Sequence, residues 1–115
     1  MSVPSQISTK ITRLFQCQYP ILLPGMSWIS TPELVAAVSN AGGVGILATG
    51  PLSQDETRTS IDKIRSLLKD PDTTPFGIGA TLLMPGAKEN AQLALDMQVP
   101  IINVSLGKAE WIAYV

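Results

Sequence analysis

The sequence predicts an α/β fold built on a parallel sheet, and three observations lead there. Apolar runs of strand length alternate with segments of helical periodicity, in the order βαβαβαβα. The strand-length runs are almost continuously apolar, as expected of parallel strands covered on both faces. The first two helical segments open on S-x-x-E patterns, and they close on glycine or proline. Two architectures share this grammar: an open doubly wound sheet, and part of a (β/α)8 barrel, which in full takes roughly 250 residues. The length of 115 residues points to the first, and an end inside a helical segment points to the second.

Each element has its own signal. Residues 1–18 read as a lead-in segment. "YPILLPGM" holds a short strand, Ile21 to Leu23, stopped by Pro24-Gly25. Ser30 and Glu33 are spaced as a capping box with Pro32 in the first turn, and Leu34, Val35, Val38 and Ala41 supply the apolar face of the first helix. Gly42 closes that helix, because glycine takes the left-handed cap position without a side-chain clash. "VGILATG" is the second strand. Ser53 and Glu56 repeat the capping pattern after Pro51, with Ile61, Ile64, Leu67 and Leu68 as the buried stripe, Arg58 and Asp62 spaced to pair on the wet face, and Pro71 as the stop. "PFGIGATLLM" is the third strand, and Ala87 to Met97 a helix whose apolar positions include Ala91 and Leu95. "VPIINVSLG" is the fourth strand, and "KAEWIAYV" begins another helix.

Composition removes several classes of function. The apolar fraction is 45% and the charged fraction 15%, the balance of a chain whose elements are covered on two sides. A net charge of -1 and the lack of any basic block argue against a nucleic-acid surface. No apolar run reaches the length of a membrane span. The N-terminal stretch lacks the apolar core of a secretory signal, which leaves a cytoplasmic expectation; Lys10 and Arg13 in an acid-free segment are a weak match to organelle targeting. The lone cysteine, Cys17, allows no internal disulfide and no CxxC metal site, and reads as a small buried thiol. There is no histidine, so the commonest general base and metal ligand are both missing. No metal site is expected.

Four stretches are candidates for function. "NAGGVG" ends a helix and opens a strand, the reverse of a dinucleotide-binding glycine loop, and reads as a cap with a close helix–strand approach. Gly77 and Gly79 share one face of the third strand and leave two readings, tight layering or room for a flat ring. Pro24-Gly25, followed by Met26 and Trp28, makes a tight turn at the carboxyl end of the first strand, where α/β folds gather ligands. Asn103, Ser105 and Lys108 lie at the same expected rim.

These residues resemble a known family. "ITRLFQCQYPILLPGMSWISTPELVAAVSNAGGVGILATG" is similar to the N-terminal part of the nitronate monooxygenases, also called 2-nitropropane dioxygenase-like proteins. "PFGIGATLLMPGAKENAQLALDMQVPIINVSLGKAEWI" looks like the continuation in one branch. The resemblance implies that residues 1–115 are the N-terminal part of an FMN-bound (β/α)8 TIM barrel, about four βα units. It implies oxidation of alkyl nitronates by O2 to a carbonyl compound and nitrite. Pro24, Gly25 and Met26 match the segment whose backbone approaches the flavin. Gly79 matches a cofactor-contacting position that often holds asparagine in the family. Ser105 falls on the substrate side. The family's catalytic histidine and its glycine-rich FMN-phosphate segments lie beyond the fourth βα unit, so no catalytic residue is assigned here and the chain alone is expected to be inactive. The alternative is a non-catalytic half-barrel that binds a ligand or partner. Four strands of a barrel carry two open edges, which predicts self-association.

Overall fold

In the computed structural model, which describes residues 7–108 and Glu110, four parallel strands form one sheet in the order β1-β2-β3-β4. The strands are β1 (Leu22–Leu23), β2 (Val44–Ala48), β3 (Phe76–Thr81) and β4 (Ile101–Ser105). The helices are α1 (Lys10–Phe15), α2 (Pro32–Asn40), α3 (Gln54–Leu67) and α4 (Ala87–Asp96). The strand order separates the two predicted architectures. A doubly wound sheet reverses direction at a switch point, so its strands are not in chain order. Here every strand pairs with the next in sequence, as around a barrel wall. The chain forms the N-terminal part of a (β/α)8 barrel.

Register and burial assign the two faces. Leu47, Phe76, Ile78 and Ala80 pack with Val35, Ala36, Ile61, Ile64, Ala91 and Ala94 of the helices. The alternate residues therefore face the barrel interior. In register across the sheet, the interior layers are Ile46, Gly77 and Ile101, then Ala48, Gly79 and Asn103, then Thr81 and Ser105. The lower interior is covered by the segment read as a simple lead-in. Its helix α1 is opened by a capping box between Thr9 and Thr12, and Phe15 and Cys17 pack on Val44, Ile46 and Ile101. This segment therefore closes the interior at the amino-terminal end of the sheet. Burial raises the Cys17 thiol above its usual pKa, and its Sγ donates to the Tyr19 carbonyl at 3.3 Å.

Several local expectations are corrected. Thr31, not Ser30, caps α2, accepting from the Leu34 N–H. The buried face of α2 is Val35, Ala36 and Ser39, while Leu34 and Ala41 are exposed, because α2 packs on both β2 and α3 and so turns its stripe by about one residue. On α3 Thr57 takes the buried place given to Leu67, which is 42% exposed. Leu95 of α4 is likewise exposed; Asn90, Ala91, Leu93 and Ala94 are buried instead. Arg58 and Asp62 form no ion pair among the described residues. Lys63 pairs with Glu33 at 2.5 Å and joins α3 to α2, and this contact holds the Glu33 carboxyl below its ordinary pKa. The third strand ends at Thr81 and the fourth at Ser105, each shorter than read. Ser53 caps α3 as expected, accepting from the Glu56 N–H at 3.1 Å. Gly42 follows α2 with φ +105°. The helix expected from Lys108 lies almost wholly outside the described residues. Among the described residues no helix is long and apolar enough to cross a membrane.

Candidate functional site

The carboxyl ends of all four strands meet at a cavity of about 160 Å³. Pro24, Gly25 and Ser27 come from the loop after β1, and Ala48, Thr49 and Gly50 from the end of β2. Gly79 and Thr81 of β3 and Asn103 and Ser105 of β4 complete the lining. Four of the five residues assigned by sequence converge here: Pro24, Gly25, Gly79 and Ser105. The fifth, Met26, is 38% exposed and does not line the cavity. Lys108 is exposed and outside it as well.

The two strand glycines differ in their surroundings, and the tight-layering reading of "FGIG" fits Gly77. A Cβ on Gly77 would lie 2.7 Å from the Ile101 carbonyl oxygen and from Ile46 Cδ1, so this glycine allows tight interior layering. A Cβ on Gly79 would meet only ordinary contacts, at 3.5 Å from the Leu47 carbonyl oxygen and 3.9 Å from Gly25 Cα. Gly79 and Gly25 therefore lie side by side and present main chain, without side chains, to the cavity.

Buried polar groups hold this surface from beneath. Thr49 Oγ1 donates to the Gly79 carbonyl at 2.5 Å and locks β2 to β3 at the site. Asn90 of α4 donates its side-chain amide to the Leu52 carbonyl at 3.1 Å and to the Thr49 carbonyl at 3.4 Å, which anchors the loop after β2. Thr81 Oγ1 and Ser105 Oγ are 3.2 Å apart. Ser30, 3% exposed, donates from Oγ to the Pro24 carbonyl at 2.6 Å and accepts from the Met26 N–H at 3.0 Å. Sequence reading missed Thr49 and Asn90, and misread Ser30. An S-x-x-E pattern one residue before a T-P pair was the source of that error, since either hydroxyl can cap.

The rim is apolar. Trp28 is 76% exposed and holds φ +66°, a backbone state that costs a bulky residue about 1–3 kcal/mol. Ile29, Leu83, Met84 and Leu106 are also exposed on the loops at this end. A larger cleft, about 510 Å³, lies at the opposite end among Phe15, Arg65, Phe76 and Ile101. In parallel barrels that end serves stability rather than chemistry, and the convergence of four strand ends makes the smaller cavity the functional candidate. The donor set is neutral: hydroxyls, one carboxamide and main chain. Among the described residues no group of three metal-ligating side chains forms.

Comparison with known proteins agrees with this geometry. The sequence profile of the nitronate monooxygenase family matches residues 8–109. A probable nitronate monooxygenase of Staphylococcus saprophyticus is 35% identical over 108 residues, which cover 87% of this chain and 30% of that protein. An octahydro-indene-carboxyl-CoA dehydrogenase of Rhodococcus jostii is 33% identical over 110 residues, covering 95% of this chain and 30% of that protein. Among solved structures, FabK from Thermotoga maritima superposes with a TM-score of 0.83 at 34% identity, over 89% of this chain and 32% of that one. A nitroalkane oxidase from Streptomyces ansochromogenes gives 0.70 at 27% identity, over 91% and 39%. The chain spans about 30% of the length of the curated relatives it matches. The family profile covers most of the sequence and the fold is that of the barrel's first four units, so the chain belongs to the nitronate monooxygenase family.

Proposed function

We propose that this chain supplies the ring-facing part of the site of an FMN-dependent oxidoreductase, one that converts alkyl nitronates and O2 to a carbonyl compound and nitrite. The observation that supports it is the paired main chain of Gly25 and Gly79 on the cavity floor, beside the small Ala48. Such a surface admits a planar ring at van der Waals distance from main chain. The flavin, when bound, would supply the redox chemistry, and the protein positions it. Asn103, in register with Gly79 on the next strand, offers a carboxamide to the edge of that ring in place of the asparagine the family often carries at the Gly79 position. Ser105 and Thr81 place hydroxyls on the substrate side.

Volume limits what these residues do alone. Complete small-molecule pockets enclose roughly 300–1,000 Å³, so a cavity of about 160 Å³ holds part of a cofactor. No histidine is present to act as base, and among the described residues no cationic side chain lines the cavity to meet a phosphate. The rest of the site belongs to the whole protein, and residues 1–115 by themselves do not turn over nitronate.

The test is an amide-resolved NMR titration of the chain with FMN, beside oxygen-uptake measurements with an alkyl nitronate. Shifts should concentrate at Gly25, Ala48, Gly79 and Asn103, with no protein-dependent oxygen uptake. Shifts absent there, or confined to the opposite end of the sheet, would sink the ring-facing assignment. Sustained uptake would overturn the inactivity.

A further inference from the structure

Ser30 is placed as a joint rather than as a cap. Its Oγ donates to the Pro24 carbonyl at 2.6 Å and accepts from the Met26 N–H at 3.0 Å, so one hydroxyl grips the chain on both sides of Gly25. Its own N–H donates to the Met26 carbonyl at 2.9 Å, and its carbonyl accepts from the Ala48 N–H at 3.4 Å. Every polar atom of this buried residue is thus used, and all four bonds end on the first turn or on the strand beside it. A hydroxyl alone among small side chains both donates and accepts at one atom. Alanine in its place would leave the Pro24 carbonyl and the Met26 N–H to water.

The consequence falls on Gly25. With the carbonyl of Pro24 and the N–H of Met26 turned toward Ser30, Gly25 is held between two fixed points and meets the cavity with Pro24 and Ser27. The bonds also hold the turn in which Trp28 keeps its positive φ, a conformation that lasts only where its surroundings over-determine it. We infer that Ser30 is the positioning residue of the candidate site, fixing the Pro24–Met26 turn so that the Gly25 main chain is presented as a rigid floor. Its ligand-binding side rests on the flavin reading above; the clamp itself does not.

The experiment compares the parent chain with Ser30→Ala and Ser30→Thr, by amide hydrogen exchange and by FMN titration read at the Gly25 and Gly79 amides. Loss of a bonded hydroxyl at this strength is expected to speed Met26 exchange about tenfold and to weaken FMN about tenfold. Exchange at the core amides of Ile46 and Ile78 should not change, and Ser30→Thr should restore both effects. Unchanged Met26 exchange in Ser30→Ala overturns the inference. So does faster Met26 exchange with FMN affinity equal to the parent's, because the clamp would then be structural only. Uniformly faster exchange across the core counts the same way. If the parent itself shows no FMN response, the flavin reading fails, and selective acceleration at Met26 still decides the clamp. Should Ser30→Ala fail to fold, Ser30→Cys, nearly isosteric but a weak hydrogen bonder, is read in its place.

Discussion

At the scale of single residues, the glycines show how one residue type answers different demands. Gly45 faces α2 so closely that an added Cβ would sit 2.7 Å from Val35 Cα, and backbone on both sides prevents relief. Gly45→Ala is therefore expected to destabilise the chain by about 1–3 kcal/mol, the usual cost of overpacking. Gly79→Ala meets only ordinary contacts and should leave stability within about 0.5 kcal/mol. It should nonetheless weaken any ring bound over Gly25, since its methyl would enter the cavity. Thermal unfolding separates the two variants, and FMN titration reads the second. Equal destabilisation by both would contradict the two roles given to the strand glycines. The alternating pattern that put Gly77 and Gly79 on one face was legible in the sequence. Which of them was packed shut depended on Ile46 and Ile101, which come from other strands.

At the scale of elements, helix boundaries followed from local chemistry and helix faces did not. Ser53 opens α3 with a 3.1 Å bond from the Glu56 N–H, and Ser53→Ala should cost about 1 kcal/mol in chemical denaturation. The Thr31 bond to Leu34 is longer, 3.5 Å, so Thr31→Ala should cost less than Ser53→Ala; the reverse order would contradict this ranking of the caps. Cap residues act on backbone within one turn, so sequence spacing nearly suffices to find them. It failed at Ser30 and Thr31 because either of two adjacent hydroxyls can cap, and the S-x-x-E spacing singles out the one that does not. The choice was made by the Pro24 carbonyl, six residues away from Ser30. The rotated face of α2 and the exposed Leu67 have the same origin: a periodic stripe gives a direction to within about one residue, and the neighbouring helix sets the rest. The short helix α1 was missed for want of an apolar period, its stability coming from a threonine capping box and from Phe15 docking on the sheet interior.

At the scale of the whole molecule, the sheet has, among the described residues, two unpaired edges, a two-residue β1 and a five-residue β4. Ile101 and Ile102 of β4 are only half-buried, and Asn103 and Ser105 are exposed on the interior side. Edges of this kind add strands from other chains unless something covers them. Residues 1–115 by themselves are accordingly expected to associate as concentration rises, measured by sedimentation velocity over a wide dilution series. A concentration-independent monomer would contradict this. The helix-facing side is better closed, with Leu47, Ile61, Ile64, Phe76 and Ile78 nearly inaccessible, so the helices and sheet can hold together while the interior side stays open.

By itself the sequence determined the alternation of strands and helices, the parallel sheet, the caps at Ser53 and Gly42 and the family. Each of these rests on local period, on turn chemistry or on motif order. Counting strand ends along the chain placed Pro24, Gly25 and Ser105 at the rim, and the family resemblance singled out Gly79. Tertiary structure bore out the barrel that the family resemblance implied and the βα period alone left open, since the two architectures share the same βα units and differ in which strands pair. It alone brought Thr49, Asn90 and Ser30 beneath the site. The carbonyls that their side chains bond lie from 6 to 41 residues away, and a hydrogen bond to a distant main-chain carbonyl leaves no periodic trace in a sequence.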